Sequence, residues 1–238
     1  MKIIIKKELI EWFNAGSVGR WGRYEFLVTV GLIGVVLPLL QGRDFGGTML
    51  CIMAVALPVM MTSAAMADGI AGERERGTLE TLFLLPLSSA ALLGGKVFGA
   101  VGYALIVSIG ALVVGSITLS SRSAPLPPPV FYFSAVFGCL LLGTLFALSI
   151  SWIALGNVTA RQAQTYGFLP IYLLLFLALA IPRIAGSFLH EPSVLAISTS
   201  IQSNAIIYAG AVIIVLCVVN VVAFFACVRR FDQRRCAA

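Results

Sequence analysis

This 238-residue chain contains one short run of alternating acidic and basic residues, the types and spacing of which could serve chemistry or binding. The run reads Glu73-Arg74-Glu75-Arg76-Gly77-Thr78-Leu79-Glu80 and stands between long apolar stretches. We call it the charged island. On a helix Glu73 could pair with Arg76, and Arg76 with Glu80, each pair contributing roughly 0.3 kcal/mol. Because nothing around the island forms a substrate site, we predict a contact surface for another protein rather than a catalytic centre.

A nucleotide site is not predicted in the chain itself. The nearest approach to a phosphate-binding loop is Gly94-Gly95-Lys96-Val97, but the G-x-x-x-x-G-K-[ST] motif would need glycine at Ala90 and serine or threonine at Val97. The small residues Gly95 and Gly99 instead indicate close packing of neighbouring helices. The sequence also has no H-E-x-x-H or G-x-S-x-G motif. We therefore predict a chain that is not an enzyme.

Metal binding and disulfide bonding are not predicted either. The lone histidine, His190, has no second candidate ligand close to it in the sequence. The five cysteines form no C-x-x-C pair and fall mostly inside apolar stretches.

The composition of the chain indicates what kind of structure surrounds the island. Hydrophobic residues make up 60% of the chain and charged residues 11%, against roughly 45–50% apolar residues in soluble domains. The apolar residues form solid blocks instead of short alternating strands, which favours membrane helices over a barrel. We predict an all-α integral membrane protein, one transmembrane domain over residues 1–238. Its six spans are predicted at residues 22–42, 46–67, 97–119, 130–154, 164–182 and 204–228.

Three other segments have predicted roles. Residues 1–20 mix apolar, aromatic and basic side chains and predict an interfacial amphipathic helix of the mature protein, without a cleaved signal peptide. Residues 68–96 form a cytoplasmic region in which the island begins a surface helix from Glu73 to Leu85, ended by Pro86. Residues 183–203 are predicted to lie in or dip into the outer leaflet.

The distribution of basic residues predicts the orientation. With both termini in the cytoplasm, every lysine and arginine falls on the inner side except Arg43, Arg122 and Arg183. The net charge of +6 then needs no nucleic-acid partner. The predicted spans contain no deep ionisable residue, so ion-coupled transport is disfavoured and any driving force must come from elsewhere.

The island, followed by Leu85-Pro86-Leu87-Ser88 and Lys96, resembles the signature of ABC-2 type permeases, the membrane subunits of many bacterial ATP-binding cassette exporters. The resemblance covers essentially the whole chain, including the second inner loop with Arg161-Gln162-Ala163-Gln164. It implies a multi-pass protein of the bacterial cytoplasmic membrane, a coupling helix after the second span, a dimeric cytoplasmic ATPase that carries ATP and Mg, and a second permease chain. It also implies that the ATPase contact contains Glu73, Arg74, Glu75, Arg76, Thr78 and Glu80, with Arg161 and Gln164 beside it.

Two functions remain open from the sequence. The first is a permease that exports substrate through rearrangements coupled to a separate ATPase. The second is a membrane anchor or assembly factor that recruits a cytoplasmic ATPase without transporting anything; a passive channel ranks third. The apolar spans suit a lipid-like or amphipathic cargo, and the sequence does not distinguish a homodimer from a heterodimer.

Overall fold

The computed structural model describes residues 22–41, 47–79, 81, 84, 87–124, 126–156, 159–167 and 205–237. All regular structure in these ranges is helical, which confirms the all-α class. The predicted interfacial helix (1–20), the outer segment (183–203) and most of the fifth span lie outside the described residues.

The first two helices each contain a π-helical segment. Helix α1 consists of Gly22–Gly31, the π-helical turn Leu32–Val36 and Leu37–Gln41. Helix α2 consists of Gly47–Ala67, the π-helical turn Asp68–Gly72 and a last turn, Glu73–Glu75.

The later helices follow with defined start signals. Ser88 caps α3 through its Oγ, which accepts a hydrogen bond from the Ala91 backbone nitrogen at 3.2 Å. Helix α4 starts at Pro129, a favourable position for proline because the first N–H groups of a helix have no acceptor within the helix. The bounds are Ser89–Ser121 for α3, Pro129–Ala154 for α4, residues 160–167 for the described part of α5, and Ala205–Ala237 for α6.

Among the described residues, four helical segments are long and apolar enough to cross a membrane: Met49–Glu75, Ser89–Ser121, Pro129–Ala154 and Ile213–Arg234. Each overlaps one of the predicted spans. The apolar part of α1, Phe26–Leu40, is shorter. Helix α3 begins at Ser89, whereas the predicted third span begins at residue 97, so its first two turns belong to what the sequence assigned to the inner loop.

Helices α2, α3 and α4 pack together as the centre of the fold, and α6 lies along α4. Two buried clusters mark the two ends of this bundle. One contains Met66, Ile70 and Leu93 together with Phe231 of α6, and the other contains Ile33 and residues of α2 and α3. The first cluster lies beside the charged island.

The central helices approach one another closely. A Cβ atom on Gly115 of α3 would lie 2.4 Å from Leu50 Cδ1 of α2, and one on Gly34 of α1 would lie 2.8 Å from Val114 Cγ1. Such contacts are impossible for a larger residue without movement of the partner, so small residues set the helix spacing here.

Candidate interaction site at the charged island

The first island residue, Glu73, is turned into the bundle. Its Oε1 accepts a hydrogen bond and ion pair from Lys96 Nζ of α3 at 2.9 Å. The Lys96 side chain is 3% exposed and the Glu73 side chain 15%. The sequence placed Lys96 at the end of a loop, but the early start of α3 places it two turns inside a helix and buries it. Lys96 is therefore a buried ionisable residue near the start of α3, just outside the predicted third span, in which no deep ionisable residue was expected.

The second island residue, Arg74, holds the end of α4. Its Nη1 donates to the carbonyl oxygen of Ala154 at 3.2 Å and also to that of Gly156. The last carbonyl groups of a helix have no partner within the helix and carry its partial negative charge. The guanidinium therefore both satisfies these oxygens and complements the α4 dipole.

The third island residue, Glu75, holds the start of α5. Its Oε1 accepts a hydrogen bond from the Ala160 backbone nitrogen at 2.8 Å, so a carboxylate stands at the positive end of that helix. A capping box completes the same end: the Thr159 nitrogen donates to Gln162 Oε1 at 3.0 Å, and the Gln162 nitrogen donates to Thr159 Oγ1 at 3.3 Å.

The chain then turns at the exposed residues Arg76, Gly77 and Thr78. Arg76 Nη2 pairs with Asp68 Oδ1 at 2.8 Å, and its side chain is 54% exposed. Gly77 has φ +70°, a conformation that favours glycine, and the Thr78 Oγ1 donates to the Glu73 carbonyl oxygen at 3.1 Å. The Asp68–Arg76 pair passes over Gly72, where a Cβ atom would lie 2.6 Å from Asp68 Oδ1.

These contacts correct two details of the sequence-based picture. The predicted pair of Glu73 with Arg76 is wrong, because Glu73 pairs with Lys96 and Arg76 with Asp68. The predicted pair of Arg76 with Glu80 involves a residue outside the described ones. The expected helix from Glu73 to Leu85 is interrupted in the described residues: the first three charges complete the last turn of α2, a turn follows at Arg76 and Gly77, and Leu79 and Thr81 are helical again. The structure thus makes the first half of the island an internal joint between helix ends.

The predicted site residues therefore fall into three groups. Glu73, Arg74 and Glu75 bind three different elements, whereas Arg76 and Thr78 form the exposed turn. Arg161 is exposed on α5, Gln164 is partly buried, and Glu80 lies outside the described residues. Glu75 brings α5 to the island, so Arg161 lies one residue from a group that the island binds directly.

Sequence reasoning missed Asp68 and the buried role of Lys96. A signal for Lys96 was present: Ser88 is a good N-cap before an apolar run, which would have started the helix at Ser89 and carried Lys96 inside it. Asp68 directly follows the predicted second span, and the sequence does not indicate its partner. The π-helical turn Asp68–Gly72 brings it to Arg76, and such a turn is not predicted from the sequence.

A model of the family described as ABC-2 type transporter matches residues 1–184, which is more than half of the chain. The chain belongs to the ABC-2 type transporter family. Searches of curated proteins and of solved structures gave no match. Together with the four apolar helices, the family makes this ABC-2 chain a multi-pass membrane component of an ABC transporter, and it implies partnership with an ABC ATPase.

Proposed function

We propose that this chain is the permease subunit of an ATP-driven exporter in a cytoplasmic membrane, with both termini in the cytoplasm. Hydrolysis of ATP, with Mg, takes place in a separate dimeric ATPase, and two permease chains form the pathway. One observation supports this proposal most: three consecutive island residues each bind a different part of the bundle, namely α3, the end of α4 and the start of α5.

Such an arrangement suits the transmission of movement. The ATPase would contact the exposed turn Arg76-Gly77-Thr78 and the exposed Arg161 of α5. A displacement of that surface would reach α2 directly, α3 through Lys96, α4 through Arg74 and α5 through Glu75. The buried pair and the helix-end contacts make these connections short, so little of the displacement would be absorbed by side-chain movement.

The contact surface can be tested by charge reversal at Arg161. This side chain is exposed and has no hydrogen-bond or ion-pair partner of its own among the described residues, so Arg161→Glu should leave the fold intact. Co-purification of the ATPase with the tagged permease should fall at least tenfold. Arg229→Glu is the matched control, an exposed arginine on α6 with the same change of charge, and it should retain the ATPase.

The proposal of a contact at Arg161 is wrong if the two variants retain the same amount of ATPase. The choice between transport and anchoring needs a second measurement on the assembled complex. Glu75→Gln should leave the ATPase bound but lower ATP-driven export from membrane vesicles, because the carboxylate that ties α5 to α2 loses its charge. A complex that binds and hydrolyses ATP but exports nothing from a broad substrate panel would favour the anchor function.

A further inference from the structure

Helix α6 presents an apolar stripe on its outer face that ends in an arginine. Val218, Val222 and Phe225 are between 57% and 67% exposed. Steps of four, three and four residues lead from Val218 to Arg229, so all four side chains stand on one side of the helix. Arg229 is exposed and has no hydrogen-bond or ion-pair partner within the described ranges.

The same end of α6 is fixed against α4. Cys227 Sγ donates to the Leu148 carbonyl oxygen at 3.2 Å, and one turn later the Arg230 guanidinium lies 4.4 Å from the centre of the Trp152 ring. Stacking of a guanidinium on an indole face is favourable and orients the charge. Trp152 remains 43% exposed at the end of α4, beside the carbonyl groups that Arg74 binds.

The pattern matches the shape and charge of a phospholipid. An acyl chain would lie on the exposed stripe, a phosphate would meet Arg229, and the half-exposed indole of Trp152 would lie at headgroup depth, where tryptophan is enriched. Residues 229–235 contain four arginines against one acid, Asp232, so this end of the helix favours an anionic headgroup.

We propose that the island end of α4 and α6 binds an anionic phospholipid, with Arg229 and the Trp152–Arg230 stack at the headgroup and Val218, Val222 and Phe225 along an acyl chain. The site is independent of the ATPase contact. A lipid bound there would lie against the end of α4, the helix end that Arg74 connects to the island.

The experiment uses the full chain with Trp12→Phe and Trp21→Phe, which leaves Trp152 as its only tryptophan. The protein is placed in mixed micelles with phosphatidylglycerol or phosphatidylcholine brominated near the headgroup, and quenching of Trp152 fluorescence reports lipid next to it. Phosphatidylglycerol should be preferred, and Arg229→Gln should lower that preference about fivefold, as expected for one basic residue near anionic headgroups.

Three comparisons make the result specific. Arg229→Lys, which keeps the charge, should retain most of the preference. Arg161→Gln removes the same charge from another exposed position at this end and should leave the preference unchanged. Native mass spectrometry of the same samples should show fewer retained phosphatidylglycerol molecules only for Arg229→Gln.

Several outcomes would overturn the proposal. Equal quenching by the two lipids would show that the headgroup is not recognised. An equal loss with Arg161→Gln would show a general charge effect instead of a site. Failure of both lipids to quench Trp152 in a dimeric preparation would show that a second copy of the chain covers this face.

Discussion

The buried pair between Glu73 and Lys96 offers the sharpest test of the joint. The perturbation is a double-mutant cycle of Glu73→Leu and Lys96→Met, which replaces each charged side chain by an apolar one of similar length. The two charges are 2.9 Å apart. At an effective dielectric constant of about 20 their attraction is about 6 kcal/mol, most of which offsets the cost of taking both groups out of water.

The cycle should be strongly non-additive. Either single replacement removes the 2.9 Å ion pair while one of its two charges stays in the bundle, and it should lower the free energy of unfolding by about 3 kcal/mol. The double replacement should come within about 1 kcal/mol of the unchanged protein, because apolar residues often replace a buried pair without loss. Glu73 Oε2 supports this expectation, since it is buried without a hydrogen-bond partner among the described residues.

The assay is unfolding of the purified chain in detergent by increasing mole fractions of sodium dodecyl sulfate, followed by circular dichroism. Arg76→Met is the control: it breaks the exposed Asp68–Arg76 pair and should cost less than about 1 kcal/mol. If the double replacement loses as much as the two single replacements together, Glu73 and Lys96 do not stabilise each other and the joint at α3 is refuted.

Two further substitutions probe the turn and the packing of α6. Gly77→Ala should lower the free energy of unfolding by about 1 kcal/mol, because φ +70° is unfavourable for a residue with a Cβ atom. The effect is one of backbone conformation, since no atom lies within 4 Å of the added Cβ. Gly77→Asn should cost less, and equal losses for the two variants would contradict the backbone argument. Asn220→Leu removes two hydrogen bonds, one that Thr144 Oγ1 donates to Asn220 Oδ1 at 2.8 Å and one that Asn220 Nδ2 donates to the Leu141 carbonyl oxygen at 3.2 Å. Their loss should cost about 1 kcal/mol. Thr144→Val should then add little in the Asn220→Leu background, and a full additional loss would show that the two residues act separately. Both substitutions are measured by the same unfolding assay.

The fold class could be predicted from the sequence because a membrane helix is indicated by a short, continuous stretch of the sequence. A helix in lipid satisfies its own backbone groups, so a block of about 20 apolar residues is sufficient to indicate one. The helices of the described residues confirmed the all-α class, and the family match over residues 1–184 confirmed the ABC-2 resemblance. The helix bounds depend on more than the apolar blocks: these blocks predicted a start at residue 97 for the third span, whereas α3 begins at Ser89, directly after its Ser88 cap.

The island itself shows where local information ends. Its sequence determined that four charges alternate at the end of an apolar block, and neighbouring residues suggested that they pair with one another. Only the tertiary structure decided their partners, which lie 23 residues away for Glu73, 80 for Arg74 and 85 for Glu75. Pairing along a helix is weak in water, whereas a buried carboxylate needs a buried cation and the ends of helices need donors and acceptors. Those needs arise only once the helices are packed, and they turn a run of charges into a joint between four helix ends.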